Sequence, residues 1–123
     1  MITGVVTNSR EATVRLTIIG PVGRQREIEA LVDTGFNGWL TLPSQMVSLL
    51  QLPWRGRAGG LLADGSETVF DVYEGRLIWH QHERRLRVDQ AETEPLIGMA
   101  LLEGSELNIQ VRDGGTVTIT MLE

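Results

Sequence analysis

Apolar and polar residues alternate along "ATVRLTII", Ala12 to Ile19, with Val14, Leu16 and Ile18 on one face and Thr13, Arg15 and Thr17 on the other. A period of two predicts a half-buried strand. Gly20-Pro21-Val22-Gly23 predicts a turn, and Arg26 to Val32 the returning strand, whose alternation fades into the apolar run Ala30-Leu31-Val32. Trp39 to Leu42 reads as a further short strand. In "SQMVSLLQL", Met46, Val47, Leu49 and Leu50 share one helical face, Ser44 suits an N-cap, and Pro53 marks the end.

Arg55 to Gly60 is glycine-rich and basic and reads as a loop. "LLADGSETVFDVYEGRLIW" carries Asp64-Gly65 between two strand-like runs, the signal of a tight type I′ hairpin. Glu74-Gly75 suggests a bend into Arg76 to Trp79, "QHER" a second hairpin turn, and Leu86 to Val88 the return. "QAETE" is loop-like. "PLIGMALLEG" is apolar with helical spacing at its end, and Asp113-Gly114-Gly115 joins "ELNIQVR" to "TVTITML" in a last hairpin. The pattern holds no repeat and no linker. It predicts one mostly-β domain over residues 1–123, with one or two short helices.

With 41% hydrophobic and 22% charged residues, the composition fits a soluble globular chain with a small core. The net charge of −5 argues against nucleic acid or anionic membrane held by bulk charge. The chain has no cysteine, which excludes disulfides, thiolate catalysis and cysteine-based zinc sites. "MITGVVTNSR" lacks the basic-then-apolar order of a signal peptide, and no apolar run nears membrane-span length, so a cytoplasmic location is expected.

The apolar run before Asp33-Thr34-Gly35 carries a carboxylate to the end of a buried strand. Burying a charge is costly without compensation. Asp-Thr-Gly alone is a weak signal, since Asp and Gly both favour turns. Two later features strengthen it. The Ala63 to Ser66 hairpin lies about 30 residues on, and Leu96-Ile97-Gly98 then leads into Leu101-Leu102.

On "ALVDTG", "LLADGSETV", "LIGMALL" and "LNIQVRDGGTVTI" the chain resembles the retropepsin-like aspartic proteases, in their single-domain bacterial form. The resemblance spans roughly Thr13 to Ile119. It implies a small closed β-barrel-like fold and peptide-bond hydrolysis with no metal or other cofactor. Two carboxylates held close cannot both ionise, so they share one proton and supply both a base for water and an acid for the carbonyl. This chain has one such aspartate, so the resemblance implies a homodimer in which Asp33 meets its own copy. Thr34 would hydrogen-bond across the pair, and Gly35 would admit substrate backbone.

Ala63, Asp64, Gly65 and Ser66 would form the tip of a flap closing over an extended peptide, with Phe36, Asn37, Ile97 and Gly98 around the substrate or beneath the Asp33 loop. Strands from both chain ends, "ITGVV" and "VTITML", would staple the dimer. Two departures from the retroviral pattern occur together. Phe36-Asn37 replaces a small residue followed by an acid, and Met99 replaces the arginine that pairs with that acid. Phe36 narrows a pocket or is a core aromatic. Other readings stay open: a non-catalytic peptide-binding or structural dimer on the same fold, or an unrelated β-domain with Asp33 in an ordinary turn.

The remaining features have plainer readings. His80 and His82 form an H-x-H that would share a strand face, but no third ligand accompanies them. Arg84, Arg85 and Arg87 read as a solvated face, and Trp54 with Arg55 and Arg57 is too small a cluster for nucleic-acid stacking. Trp39 and Trp79 read as packing residues.

Overall fold

The computed structural model describes residues 1–61 and 63–123; Leu62, within the expected flap segment, lies outside the described residues. The strands are β1 (Ile2–Val6), β2 (Ala12–Ile19), β3 (Gln25–Val32), β4 (Leu40–Leu42), β5 (Trp54–Leu61), β6 (Glu67–Trp79), β7 (His82–Gln90), β8 (Leu96–Ile97), β9 (Ser105–Ile109) and β10 (Thr116–Met121). Two short helices interrupt them, α1 (Ser44–Leu50) and α2 (Met99–Leu102). The mostly-β expectation holds.

The strands form one sheet in the order β5-β6-β7-β4-β8-β3-β2-β1-β10-β9, and a further β6–β2 pairing closes a barrel-like ring of β2, β3, β8, β4, β7 and β6. Inside it, Ala30, Leu40, Leu42, Leu77, Val88, Ile97 and Leu101 are fully buried. Such burial contributes about 1.5–3 kcal/mol for each large aliphatic side chain. The alternation read in Ala12–Ile19 is realised in part: Val14, Leu16 and Ile18 are buried and Arg15 is exposed, but Thr13, expected on the polar face, is also buried, its hydroxyl donating to the Val5 carbonyl at 2.9 Å.

Consecutive strands β3 and β4 are not neighbours, because β8 lies between them, parallel to β3 and antiparallel to β4. The chain from Asp33 to Trp39 must therefore cross the end of β8. This crossing positions the site.

Several local expectations are corrected. Arg55–Gly60 is strand, not loop, paired with β6 from Gly56↔Val72 to Leu61↔Glu67. Cross-strand ion pairs Arg55–Glu74 and Arg57–Asp71 hold its basic residues. Tertiary pairing overrides its glycine content. Glu74-Gly75 makes no bend, and β6 runs through it. Ser44 is the first helical residue rather than the cap; Pro43 occupies the N-cap, and the Ser44 amide donates to the Glu92 carboxylate at 2.9 Å. The helix stops at Leu50, before Pro53, on a left-handed Gln51 (φ 51°).

The hairpin at Asp64-Gly65 is longer than a two-residue turn, because Leu61 pairs with Glu67 and, among its described residues, only Gly65 has positive φ. His80 is not on a strand: it and Gln81 form the two-residue β6–β7 turn with φ of 50° and 69°. The terminal strands are not free for a partner either. β1 lies between β2 and β10 of the same chain, and β10 between β1 and β9. Among the described residues, no helix is long and apolar enough to cross a membrane.

Candidate active site around the Asp33 loop

β3 ends as Val32 pairs with Ile97, and the Asp33 amide continues that pairing by donating to the Ile97 carbonyl at 2.9 Å. The chain then turns. The Gly35 amide donates to Asp33 Oδ1 at 2.9 Å, and the Phe36 amide to the Asp33 carbonyl at 3.1 Å. Aspartate and glycine are suited to this Asx-type turn, because the short carboxylate reaches the amide two residues on. Asp33 is half-buried, and Thr34 and Gly35 are exposed.

The far side of the loop is fixed by the opening of α2. The Gly98 amide donates to the Trp39 carbonyl at 3.1 Å, Met99 to the Phe36 carbonyl at 2.8 Å and Ala100 to the Gly38 carbonyl at 3.1 Å. These are amides at a helix start, which have no partner within the helix. The loop supplies their acceptors, so helix and loop hold each other.

Gly98 has no room for a side chain. A Cβ there would collide with the Gly38 carbonyl oxygen and lie 2.6 Å from Phe36 Cδ2. A Cβ on Gly38 would likewise lie 2.6 Å from Phe36 Cε1. The Phe36 ring thus packs against both glycines, which favours its reading as a packing aromatic of the loop. Asn37 is exposed.

A residue that sequence reasoning passed over stands nearby. Asp89, opposite Thr41 in the parallel β4–β7 pair, has a side chain only 13% exposed and bonds Arg87 Nε at 2.7 Å. Its Oδ2 lies 3.4 Å from where a Gly38 Cβ would stand. Nothing in "RVDQ" signals this, since a parallel pairing between distant strands creates it. Arg84 also leaves the expected solvated face, with its guanidinium 4.8 Å from the Trp39 ring centroid.

Two cavities border the turn. One of about 340 Å³ is lined by Asp33 with Arg10, Leu31, Leu96, Ile109 and Val111. The other, about 320 Å³, is lined by Thr34 with Met99, Leu102, Ser105 and Leu107. A larger cavity of about 410 Å³ near Pro21, Pro53, Arg76 and Glu83 contains none of the expected site residues.

The structure therefore brings Asp33, Thr34, Gly35, Phe36, Asn37, Ile97 and Gly98 together. It does not bring Ala63–Ser66 to them within the chain: all four tip residues are exposed, and none lines either cavity. At the tip, Asp64 Oδ1 accepts from the Ser66 hydroxyl at 2.6 Å and the Ser66 amide at 2.9 Å. These bonds, the hydroxyl first, hold the Asp64 carboxyl below its ordinary range. His80 bonds Ser105 Oγ at 3.0 Å, and burial foremost, then the positive amino terminus and Arg84, lowers its pKa. Among the described residues, no cluster of three or more His, Cys, Asp or Glu could hold a metal ion.

Neither protein-family models nor curated proteins match the sequence. The fold is similar to that in the crystal structure of a retropepsin-like aspartic protease from Rickettsia conorii, with a TM-score of 0.60 over 99% of this chain and 91% of that one. The two chains are 14% identical, so the likeness is one of fold.

Proposed function

We propose that the chain is an aspartic endopeptidase acting as a homodimer, with residues 1–123 forming one domain. The observation that carries this reading is the Asp33-Thr34-Gly35 turn, fastened to Ile97 and to the start of α2 by backbone hydrogen bonds, in a fold similar to a retropepsin-like protease. A rigid backbone under an accessible carboxylate is what pre-organised acid–base catalysis requires.

In the proposed dimer the two Asp33 carboxylates share a proton. The ionised member takes a proton from water as it attacks the scissile carbonyl, and the protonated member hydrogen-bonds the developing oxyanion. Thr34 braces the two loops across the axis, and Gly35 lets substrate backbone approach. Ile97 and Gly98 support the loop from beneath. The peptide lies extended, with alternate side chains entering the cavities that flank Asp33 and Thr34. The Ala63–Ser66 tip closes over it and excludes water.

The test is cleavage of a mixed peptide library from acidic to neutral pH, with wild type and Asp33→Asn side by side. The expected outcome is cleavage by wild type alone, with a bell-shaped pH profile. Absence of cleavage by folded, dimeric wild type would replace this reading with a peptide-binding dimer on the same fold.

A further inference from the structure

The cavity of about 410 Å³ lies between the β2–β3 turn, the segment after α1 and the β6–β7 pair. Ile19, Pro21 and Pro53 give it an apolar side, and Arg76 and Arg85 give it charge. A second cavity, about 350 Å³, shares Glu74 and Arg85 with the first. It adds apolar surface of its own from Val72, Tyr73 and Leu86. Arg85 therefore stands where the two cavities meet, with apolar surface on either hand. Neither cavity contains a residue of the Asp33 loop.

Strand register explains why this arginine is unusual. β6 and β7 join through the two-residue turn His80-Gln81, so Trp79 and His82 form a hydrogen-bonded pair. Alternation then makes Arg76↔Arg85 a non-hydrogen-bonded pair, in which facing side chains are closest. Like charges directly opposite are unfavourable. Arg76 is relieved, because its Nη1 donates to Glu83 at 3.1 Å and its Nη2 to the Gly20 carbonyl at 3.2 Å. Arg55 holds Glu74 at 2.7 Å, and Arg87 holds Asp89 at 2.7 Å. Arg85 is exposed and has no ion pair among the described residues. Its charge is the unmatched one on this face, in a chain whose net charge is −5.

We propose that Arg85 and the two recesses beside it form a docking site for an acidic peptide segment, a single glutamate or aspartate flanked by apolar side chains. The segment's carboxylate meets the Arg85 guanidinium, whose planar fork of N–H donors suits two parallel hydrogen bonds. That carboxylate also offsets the opposition of Arg76 and Arg85, which a neutral side chain cannot do. One apolar flank enters the recess of Ile19, Pro21 and Pro53, and the other the recess of Val72, Tyr73 and Leu86. Glu74 and Glu83 also line the site, and their charges are already matched by Arg55 and Arg76. They therefore repel a second acid and favour a segment with one carboxylate over a polyacidic run.

The test is an amide NMR titration of the full chain at neutral pH with two blocked tripeptides, acetyl-Leu-Glu-Leu-amide and acetyl-Leu-Gln-Leu-amide. The glutamate peptide should give saturable shifts at Gly20, Gly75 and Arg85, the Arg85 Nε–H included. It should bind about tenfold more tightly than the glutamine peptide, the difference between a charge-assisted and a neutral hydrogen bond. In Arg85→Gln the two peptides should bind equally. Because Arg85 is exposed and unpaired, this variant should keep the wild-type amide spectrum away from the site. Arg85→Lys, which keeps the charge without the fork, should retain part of the preference.

The absence of saturable shifts, equal binding of both peptides to wild type, or a glutamate preference that survives in Arg85→Gln would each overturn the proposal. Inorganic phosphate that shifts the same resonances and displaces the glutamate peptide at equal concentration would mark a general anion site and overturn its peptide character. Shifts confined to the Asp33 loop would overturn it too, while supporting the proposed active site.

Discussion

Asp33 and Asp64 stand in nearly the same local geometry. Each carboxylate accepts the amide two residues on at 2.9 Å, from Gly35 in one turn and Ser66 in the other. The surroundings differ. The Asp33 amide bonds Ile97, and the carbonyls of Phe36, Gly38 and Trp39 cap the entry to α2. The residues from Ala63 to Ser66 are exposed throughout. One turn is held in place by hydrogen bonds to the continuous stretch from Ile97 to Ala100 and by the packing of Phe36 on Gly38 and Gly98; the other is held by bonds within itself. In the proposed enzyme that is the division needed, a fixed acid and a movable cover.

The largest effect that separates the two turns is catalytic. Asp33→Asn should lower kcat by about 10³-fold or more while leaving the melting transition nearly unchanged. Asp64→Asn should cause a much smaller loss, carried in KM. Steady-state cleavage of one library-derived peptide decides both, and equal losses would erase the distinction.

Stability gives the next contrast. Gly98→Ala forces a methyl against Gly38 and Phe36 and should cost about 2–3 kcal/mol in chemical denaturation. Gly65→Ala meets open space but inherits a φ of 85°, and should cost about 1 kcal/mol. A reversed order would show that the loop relaxes more easily than its packing implies.

Amide exchange sharpens the same comparison without substitution. The amides of Asp33, Gly98 and Met99 should exchange only with large-scale opening, whereas those of Gly65 and Ser66 should exchange close to the unfolded rate.

The smallest effect concerns pH. The Asp64 pKa is depressed in the folded state, so its contribution is present above the ordinary carboxylate pKa and is lost as pH falls through the depressed value. Ser66→Ala removes the hydroxyl that contributes most, and should raise the Asp64 titration midpoint in a carboxyl-detected NMR titration. An unmoved midpoint would mean the backbone amide alone sets it.

Much of the strand pattern was legible because side-chain alternation is local: Val14, Leu16 and Ile18 announce a buried face whatever they pack against. The expected site residues Asp33, Gly35, Ile97 and Gly98 were legible as motifs, and the fold gathers them. Arg55–Gly60 misled, because six residues rich in glycine and arginine become strand only when β6 supplies the ladder and Glu74 and Asp71 the counter-charges. Asp89 was invisible for a similar reason. Its nearness to Gly38 depends on the parallel pairing of β4 with β7.

By itself, the sequence determined the mostly-β class, the turn at Asp33-Thr34-Gly35 and the apolar strand leading into it, because period-two burial and Asx-type turns are set by residues within a few positions. Tertiary structure alone decided that β8 enters between β3 and β4, that the Asp33 loop caps α2, and that β1 and β10 are each paired on both sides within the chain while β9 ends the strand order. Those outcomes depend on which distant backbone groups meet, and hydrogen bonds between distant strands leave no period in the sequence that makes them.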